Sequence, residues 1–314
     1  MSELYTNNQH YARRARTRRR SKLPAMLFIL LIAAGLLTFG ILFMRDHLLF
    51  GTSAVSAAKN GQFDIDFEEL SEQCADSENS FQASESDLQA LHDTAEENPK
   101  YRREIEFLAA HISAYSQDAV NTAVISPEKT SFVLLEPFAE RTYGSVRLDP
   151  SETKGVPFLL QYDSRWAFHP YGSSVMGYTA CGPTCLSMAA IGVTGDGRYD
   201  PVYVSDFAEK AGYYVWGTGT SWLLFTDGAA DLGLTGVIIP ADESVMRSRL
   251  DAGEVLIASM TAGDFTKNGH FIVIHAYGGA GFSVYDPSSV ERSGRSWSFS
   301  SLQSQMAQLW SISD

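Results

Sequence analysis

Residues 180–189 read ACGPTCLSMA, and this stretch decides the fold because it predicts a helix that begins beside a cysteine. Proline suits the first turn of a helix, since its missing N–H would have no partner there. Cys181 then lies at or just before the helix N-terminus, where free N–H groups and the helix dipole lower a cysteine pKa. That is the setting of a thiolate nucleophile, and a structural cysteine is the alternative. Cys185, one turn further on, faces the interior as a small core residue.

A thiolate nucleophile needs a base, and residues 155–314 contain three histidines: His169, His270 and His275. Residues 269–275 read GHFIVIH, which predicts a strand in which His270 and His275 point to opposite faces. His270 opens the strand, so its side chain can reach a cleft, whereas His275 is expected to be a satisfied buried or edge histidine. His169 lies in a predicted loop, and its position in the sequence gives no reason to choose it as the base. His270 is therefore the candidate base.

An imidazole base also needs an acceptor that orients its second nitrogen. Asp286 follows the next predicted strand, and antiparallel neighbours lie only about 4.8 Å apart, so His270 and Asp286 can pair. An Asp-Pro turn without a catalytic role is the alternative. The chain order Cys, His, Asp is the order in papain-type thiol enzymes. The backbone N–H of Cys181 and the side-chain amide of Gln161 are candidate donors to an oxyanion.

Residues 155–314 have the length of one domain and the pattern of an α+β fold, with early helices and late antiparallel strands. The predicted strands are 157–161, 236–239, 255–260, 271–277 and 281–285. The predicted helices are 182–191, 202–211, 221–232 and 243–252.

The N-terminal region predicts a membrane anchor. Residues 1–22 are basic, and Leu23–Met44 runs 22 residues without a charge, about 33 Å as a helix and long enough to cross a bilayer. The basic flank is expected to stay in the cytoplasm, which places the rest of the chain outside. A cleaved secretory signal is the alternative. Residues 45–154 are predicted to be an extracytoplasmic, partly helical spacer, with helices near 88–95 and 101–115.

Composition excludes several classes of function. The chain of 314 residues carries a net charge of −13 although its first 22 residues are basic, so the main body is strongly acidic and does not suit nucleic acid. Three cysteines exclude a disulfide framework and a four-cysteine zinc site. We expect no metal and no organic cofactor.

The domain at 155–314 resembles the bacteriocin-processing, double-glycine leader peptidase-like domains, which are papain-like cysteine peptidases. The stretches that carry the resemblance are VPFLLQYDSRWA (156–167), ACGPTCLSMA (180–189), GTSWLLF (219–225), RLDAGEVLIASM (249–260), GDFTKNGHFIVI (263–274), VYDPSS (284–289) and SWSFSSL (296–302). The resemblance implies Cys181 as nucleophile, His270 as general base, Asp286 as orienting residue and Gln161 as oxyanion-hole residue.

The sequence as a whole therefore predicts a single-pass membrane protein, from a Gram-positive bacterium by resemblance, whose extracytoplasmic domain hydrolyses peptide or protein substrates through an acyl-enzyme. Two alternatives stay open. The same fold could act on cell-wall peptide, as a hydrolase or a transpeptidase, or it could be a catalytically inactive papain-like binding module.

Overall fold

The computed structural model describes residues 63–77, 82–141, 146 and 148–314, all of which belong to one compact unit, Ser53–Asp314. The predicted basic tail and the predicted transmembrane segment 23–44 lie outside the described residues. Within the described ranges, no helix is both long enough and apolar enough to cross a membrane.

Residues 63–135 form a group of helices, called here the helical layer. Its members are α1 (Phe67–Ala75), α2 (Glu85–Glu97), α3 (Arg102–Ala110), α4 (Gln117–Ile125) and α5 (Thr130–Leu135), with 3-10 turns at Ile112–Ala114 and Pro127–Lys129. Three of the helices begin at a side chain that accepts backbone N–H bonds, namely Asp66, Ser84 and Ser116. Such caps satisfy N–H groups that have no partner inside the helix.

The helical layer shares one hydrophobic core with residues 160–175. Leu91, Leu108 and Phe132 are fully buried in this core together with Leu160 and Phe168. The ring of Phe132 stacks on that of Phe168 with centroids 5.6 Å apart. The stretch predicted to be a partly helical spacer is thus packed against the beginning of the domain predicted at 155–314.

The rest of the described chain is organised around an antiparallel sheet of six strands: β5 (Thr235–Ile238), β6 (Val255–Met260), β7 (His270–Gly278), β8 (Gly281–Tyr285), β9 (Ser296–Trp297) and β10 (Met306–Ser313). Their order across the sheet is β5-β10-β6-β7-β8-β9. Two short hairpins lie outside the sheet, β1 (Pro170–Tyr171) with β2 (Ser174–Val175) and β3 (Tyr214–Val215) with β4 (Gly219–Thr220).

Seven helices accompany these strands: α6 (Met176–Thr179), α7 (Cys181–Thr194), α8 (Pro201–Lys210), α9 (Asp227–Asp231), α10 (Glu243–Asp251), α11 (Val290–Ser293) and α12 (Phe299–Gln303), with 3-10 turns at Gly197–Tyr199 and Trp222–Phe225. Helix α7 is buried on nearly every side and packs against β6 and β7. It ends at Gly195, whose φ of 70° is the left-handed conformation that glycine adopts most easily. The domain is a mixed α and β fold.

Most predicted elements lie near where the structure has them, and three predictions differ from it. The helix predicted near 101–115 ends at Ala110, and a 3-10 turn follows at Ile112–Ala114. The predicted strand 157–161 is irregular backbone: Leu159 donates its N–H to Met188 Sδ and Gln161 donates to the carbonyl of Pro287, so no strand ladder forms. The predicted helix 221–232 is broken at Thr226, whose φ and ψ of −120° and −79° are not helical.

Candidate active site

Cys181 is the first residue of α7 and is partly exposed, with no side-chain cap on the residue before it. The N–H groups of the first helical turn have no partner within the helix, so they remain available to a negative charge. Gly182 allows the β3–β4 hairpin to approach this helix end closely. A Cβ atom at Gly182 would lie only 2.6 Å from Cγ2 of Thr220.

His270 and Asp286 meet at one end of the sheet because of the register of β7 and β8. Val273 lies opposite Tyr285 in an antiparallel pair, so the start of β7 and the end of β8 are neighbours. His270 opens β7, and Asp286 follows β8 directly. Nε2 of His270 lies 2.7 Å from Oδ1 of Asp286, and both side chains are buried.

The His270 side chain also interacts with the Cys181 thiol and lowers its pKa. Because Nε2 of His270 faces Asp286, Nδ1 is the ring nitrogen that can face the Cys181 sulfur. Burial by itself would raise the pKa of the Cys181 thiol, but the hydrogen bond and charge of His270 and the backbone N–H groups of Phe271 and Gly182 lower it overall. Burial likewise opposes the charged imidazole, yet the Asp286 carboxylate and then Cys181 raise the pKa of His270 to about 9. The site therefore favours a thiolate–imidazolium pair.

Asp286 is fully buried and bonded on every side. Besides His270, its carboxylate accepts bonds from Nε of Arg292 at 2.6 Å and from the backbone N–H of Ser288 at 2.7 Å. Burial would raise the pKa of this carboxyl, but His270 and Arg292 together hold it below its usual value. Arg292 was not singled out from the sequence, although it stands only six residues after Asp286 on the short helix α11.

Gln161 is buried beside the carboxylate side of the site rather than presented freely to the cleft. Its Nε2 donates to the carbonyl of Gly177 at 3.0 Å, with that of Met176 at 3.4 Å, and its Oε1 accepts from Ser288 Oγ at 2.9 Å. The amide therefore ties helix α6, just before Cys181, to the loop after Asp286. Its role at an oxyanion stays a prediction that requires the side chain to turn; the N–H of Cys181 needs no such change.

The structure brings Cys181, His270 and Asp286 together and leaves the other candidates apart from them. His169 pairs with Asp206 at 2.7 Å. His275 stacks on Tyr285 with ring centroids 3.8 Å apart. In addition, Cys185 is buried, which raises the pKa of its thiol. No cluster of three or more His, Cys, Asp or Glu side chains suited to a metal occurs in the described part of the chain.

The geometry defines the class of site: a thiol, an imidazole and a carboxylate joined in series at a helix N-terminus. No family model matches the chain. No curated protein matches it either. Among solved structures, the chain is similar to a crystal structure from Bacillus anthracis described as a “putative C39-like peptidase”. The identity is 14%, the match covers 51% of this chain and 94% of that chain, and the TM-score is 0.32. Similarity this low supports no functional conclusion, which must come from the site itself.

Proposed function

We propose that this protein is a membrane-anchored, extracytoplasmic cysteine peptidase of papain-like fold that hydrolyses peptide bonds through an acyl-enzyme on Cys181. One observation carries the proposal: His270, whose Nε2 lies 2.7 Å from Oδ1 of the buried Asp286, also interacts with the Cys181 thiol and lowers its pKa. The anchor and its orientation rest on the uncharged run Leu23–Met44 and the basic residues before it.

In the acylation step, the Cys181 thiolate attacks the carbonyl carbon of the scissile bond and the carbonyl oxygen becomes an oxyanion. The helix N-terminus at Cys181 supplies N–H groups to that charge. The imidazolium of His270 then gives its proton to the leaving nitrogen, the C–N bond breaks, and an amine departs. A thioester on Cys181 remains.

In the deacylation step, neutral His270 takes a proton from water while the resulting hydroxide attacks the thioester. The C–S bond breaks, the acid leaves, and the thiolate–imidazolium pair is restored. Asp286 holds the ring in one orientation throughout, because its own oxygens are fixed by Arg292 and by the N–H of Ser288.

The test uses the full chain in detergent with a mixture of protein-derived peptides and cell-wall peptides, and mass spectrometry of newly formed termini. We expect new termini with the wild type and with Cys185→Ala, and none with Cys181→Ala. Cys185 is the matched control because it lies one turn along the same helix but is sealed in the core.

Two results would overturn the assignment. Cleavage or joining confined to cell-wall peptides would replace it with the cell-wall alternative. An absence of any termini that depend on Cys181 would replace it with a binding module that keeps the fold without the chemistry.

A further inference from the structure

The β3–β4 hairpin carries an exposed apolar surface that the reaction described above does not use. Trp216 lies in the turn of the hairpin and is 77% exposed, and Val215 before it is 42% exposed. The 3-10 turn Trp222–Phe225 follows the hairpin, and its Leu223 is 54% exposed. Single exposed apolar side chains are ordinary, but several large ones in one short stretch are typical of an interaction site.

The sequence around this surface is uncharged. From Ala211 to Thr226 no residue carries a charge, whereas the chain as a whole carries −13. No ion pair can form within this stretch, so the burial of apolar area is the main interaction that it offers to a ligand. The surface therefore suits an apolar partner rather than a cationic one.

The base of the hairpin is held beside the nucleophile. Thr220, only 8% exposed, lies against the first turn of α7. A Cβ atom on Gly182, the residue after Cys181, would lie only 2.6 Å from Cγ2 of Thr220. The Thr220 hydroxyl also shares a hydrogen bond of 2.9 Å with that of Tyr171. These contacts place the apolar surface on an element that touches the helix end bearing Cys181.

The turn of the hairpin is held in one shape. Gly217 and Gly219 have φ angles of 72° and 100°, in the left-handed region that glycine adopts most easily. The N–H of Thr218 donates to the carbonyl of Val215 at 3.0 Å. Trp216 is thus presented by a preformed turn, which reduces the entropy lost when a ligand covers it.

The length of the hairpin matches that of a short peptide segment. Trp216 stands four positions before Thr220. Because an extended chain advances about 3.3 Å per residue, the Cα atoms of these two residues are at most about 13 Å apart. A peptide whose scissile bond lies at Cys181 covers that distance with about four extended residues. The surface is therefore within reach of substrate residues on one side of the bond.

We propose that Trp216, together with Val215 and Leu223, binds large apolar side chains of the substrate close to the bond that Cys181 attacks. The proposal rests on the proposed function and narrows its substrate class to peptides with an apolar segment beside the scissile bond. The position of the hairpin at the Cys181 end of α7 favours the substrate over a lipid surface or a second copy of the chain.

The first test compares irreversible labels that react with Cys181 and differ in the apolarity of their side chains. The chloromethyl ketones of acetyl-Leu-Phe-Gly and acetyl-Ser-Asn-Gly place side chains on the acyl side of the cleavage position. The iodoacetyl derivatives of Gly-Leu-Phe-amide and Gly-Ser-Asn-amide place them on the amine side. All rates are measured at pH 7 on the full chain in phosphatidylcholine nanodiscs, because detergent would compete for an apolar surface. Mass spectrometry locates the label on Cys181.

In the wild type, we expect the apolar label of one pair to react on the order of tenfold faster than its polar partner, as burial of one large side chain implies. Trp216→Ser should remove most of this ratio, Trp216→Phe should keep most of it, and Leu223→Ser should lower it by less. The control Tyr203→Ser removes an aromatic side chain that is 45% exposed on α8 and should leave the ratio unchanged.

The rates separate the possible failures. A slow, ordinary reaction of Cys181 with all four labels and with iodoacetamide would overturn the proposed function and this inference with it. A fast reaction with iodoacetamide, but equal rates within both pairs, would overturn the apolar site and leave the peptidase proposal intact. A ratio that persists in Trp216→Ser would overturn the role of the hairpin.

Two further measurements test the other occupants. Brominated lipid in the nanodisc quenches tryptophan that enters the bilayer, and we expect no quenching of the fluorescence that Trp216→Phe removes; quenching would assign the surface to the membrane. We also expect the wild type and Trp216→Ser to have the same mass in solution. A wild-type dimer that Trp216→Ser converts to a monomer would assign the surface to a second copy.

Urea unfolding guards against a structural role of the side chain. Because Trp216 is exposed, Trp216→Ser should leave the unfolding midpoint unchanged. A lower midpoint would show that Trp216 packs within the fold, contrary to the proposal.

Discussion

Asp286→Asn removes the charge that orients His270 and stabilises its protonated form, while it keeps the size of the side chain. In the wild type, Nε2 of His270 faces Oδ1 of Asp286 at 2.7 Å, and both side chains are buried. The amide of Asn can still bond to the ring but cannot stabilise its positive charge. The variant therefore isolates the electrostatic part of the interaction.

The size of the effect follows from the pKa of His270, which the site raises from 6.5 to about 9. A difference of that size corresponds to roughly 3 kcal/mol of preference for the imidazolium, with the Asp286 charge as the largest favourable contribution. Without this charge, burial dominates and the pKa should fall towards or below 6.5. The Cys181 thiolate should then lose its cationic partner at neutral pH.

The same shift has a definite sign in stability. A group whose pKa is higher in the folded state stabilises the fold fully below pH 6.5 and loses that contribution as pH rises to about 9. The wild type should show this loss on top of its other titrations, and Asp286→Asn should not.

NMR titration of histidine ring resonances, with His270→Ala for assignment, and urea unfolding across the same pH range measure both effects. Asp206→Asn is the matched control, because it breaks the His169–Asp206 pair of equal length, 2.7 Å, whose acid is exposed. A His270 resonance that titrates alike in the wild type and in Asp286→Asn would refute the reasoning.

Two further substitutions test the surroundings of the site. Arg292→Gln leaves the buried Asp286 carboxylate with a neutral neighbour in place of the guanidinium. This change should cost about 3 kcal/mol of unfolding free energy and should slow Cys181 alkylation. An unchanged stability in urea unfolding would contradict the Arg292–Asp286 pairing. Phe132→Ala empties a fully buried position against Phe168 and should cost about 3–5 kcal/mol of unfolding free energy. The control Ile125→Ala changes a side chain that is 46% exposed and should cost little. Equally small losses in both variants would mean that the helical layer is not packed as described.

The sheet was predictable where the sequence pattern is local. Val255–Met260 is apolar at nearly every position, and the strand has those bounds because both of its faces are buried. Strand β10 was missed, since Gln308 and Ser311 interrupt its apolar pattern. Ser311 is nevertheless buried, because its hydroxyl donates to the carboxylate of Glu254, a partner 57 residues away. Only tertiary structure supplies such a partner.

Some residues of the candidate site could likewise be predicted from local sequence, whereas others depend on distant parts of the chain. Cys181, His270 and Asp286 could be chosen because each stands at the end of a helix or strand, where local sequence signals are strong. Glu128 could not, because it belongs to another part of the chain and meets the loop after Asp286 only through its bond to the backbone N–H of Val290. The orientation of Gln161 also depends on distant groups, the carbonyl of Gly177 and the hydroxyl of Ser288.

The most direct test of the central claim is the pH dependence of Cys181 alkylation by iodoacetamide in the full chain, with His270→Ala beside it. If Cys181 and His270 form a thiolate–imidazolium pair, the Cys181 pKa lies below the ordinary value of a thiol in the wild type. In His270→Ala it should lie above that value, because burial then acts without the imidazole. An ordinary thiol pKa that is the same in both proteins would contradict the account.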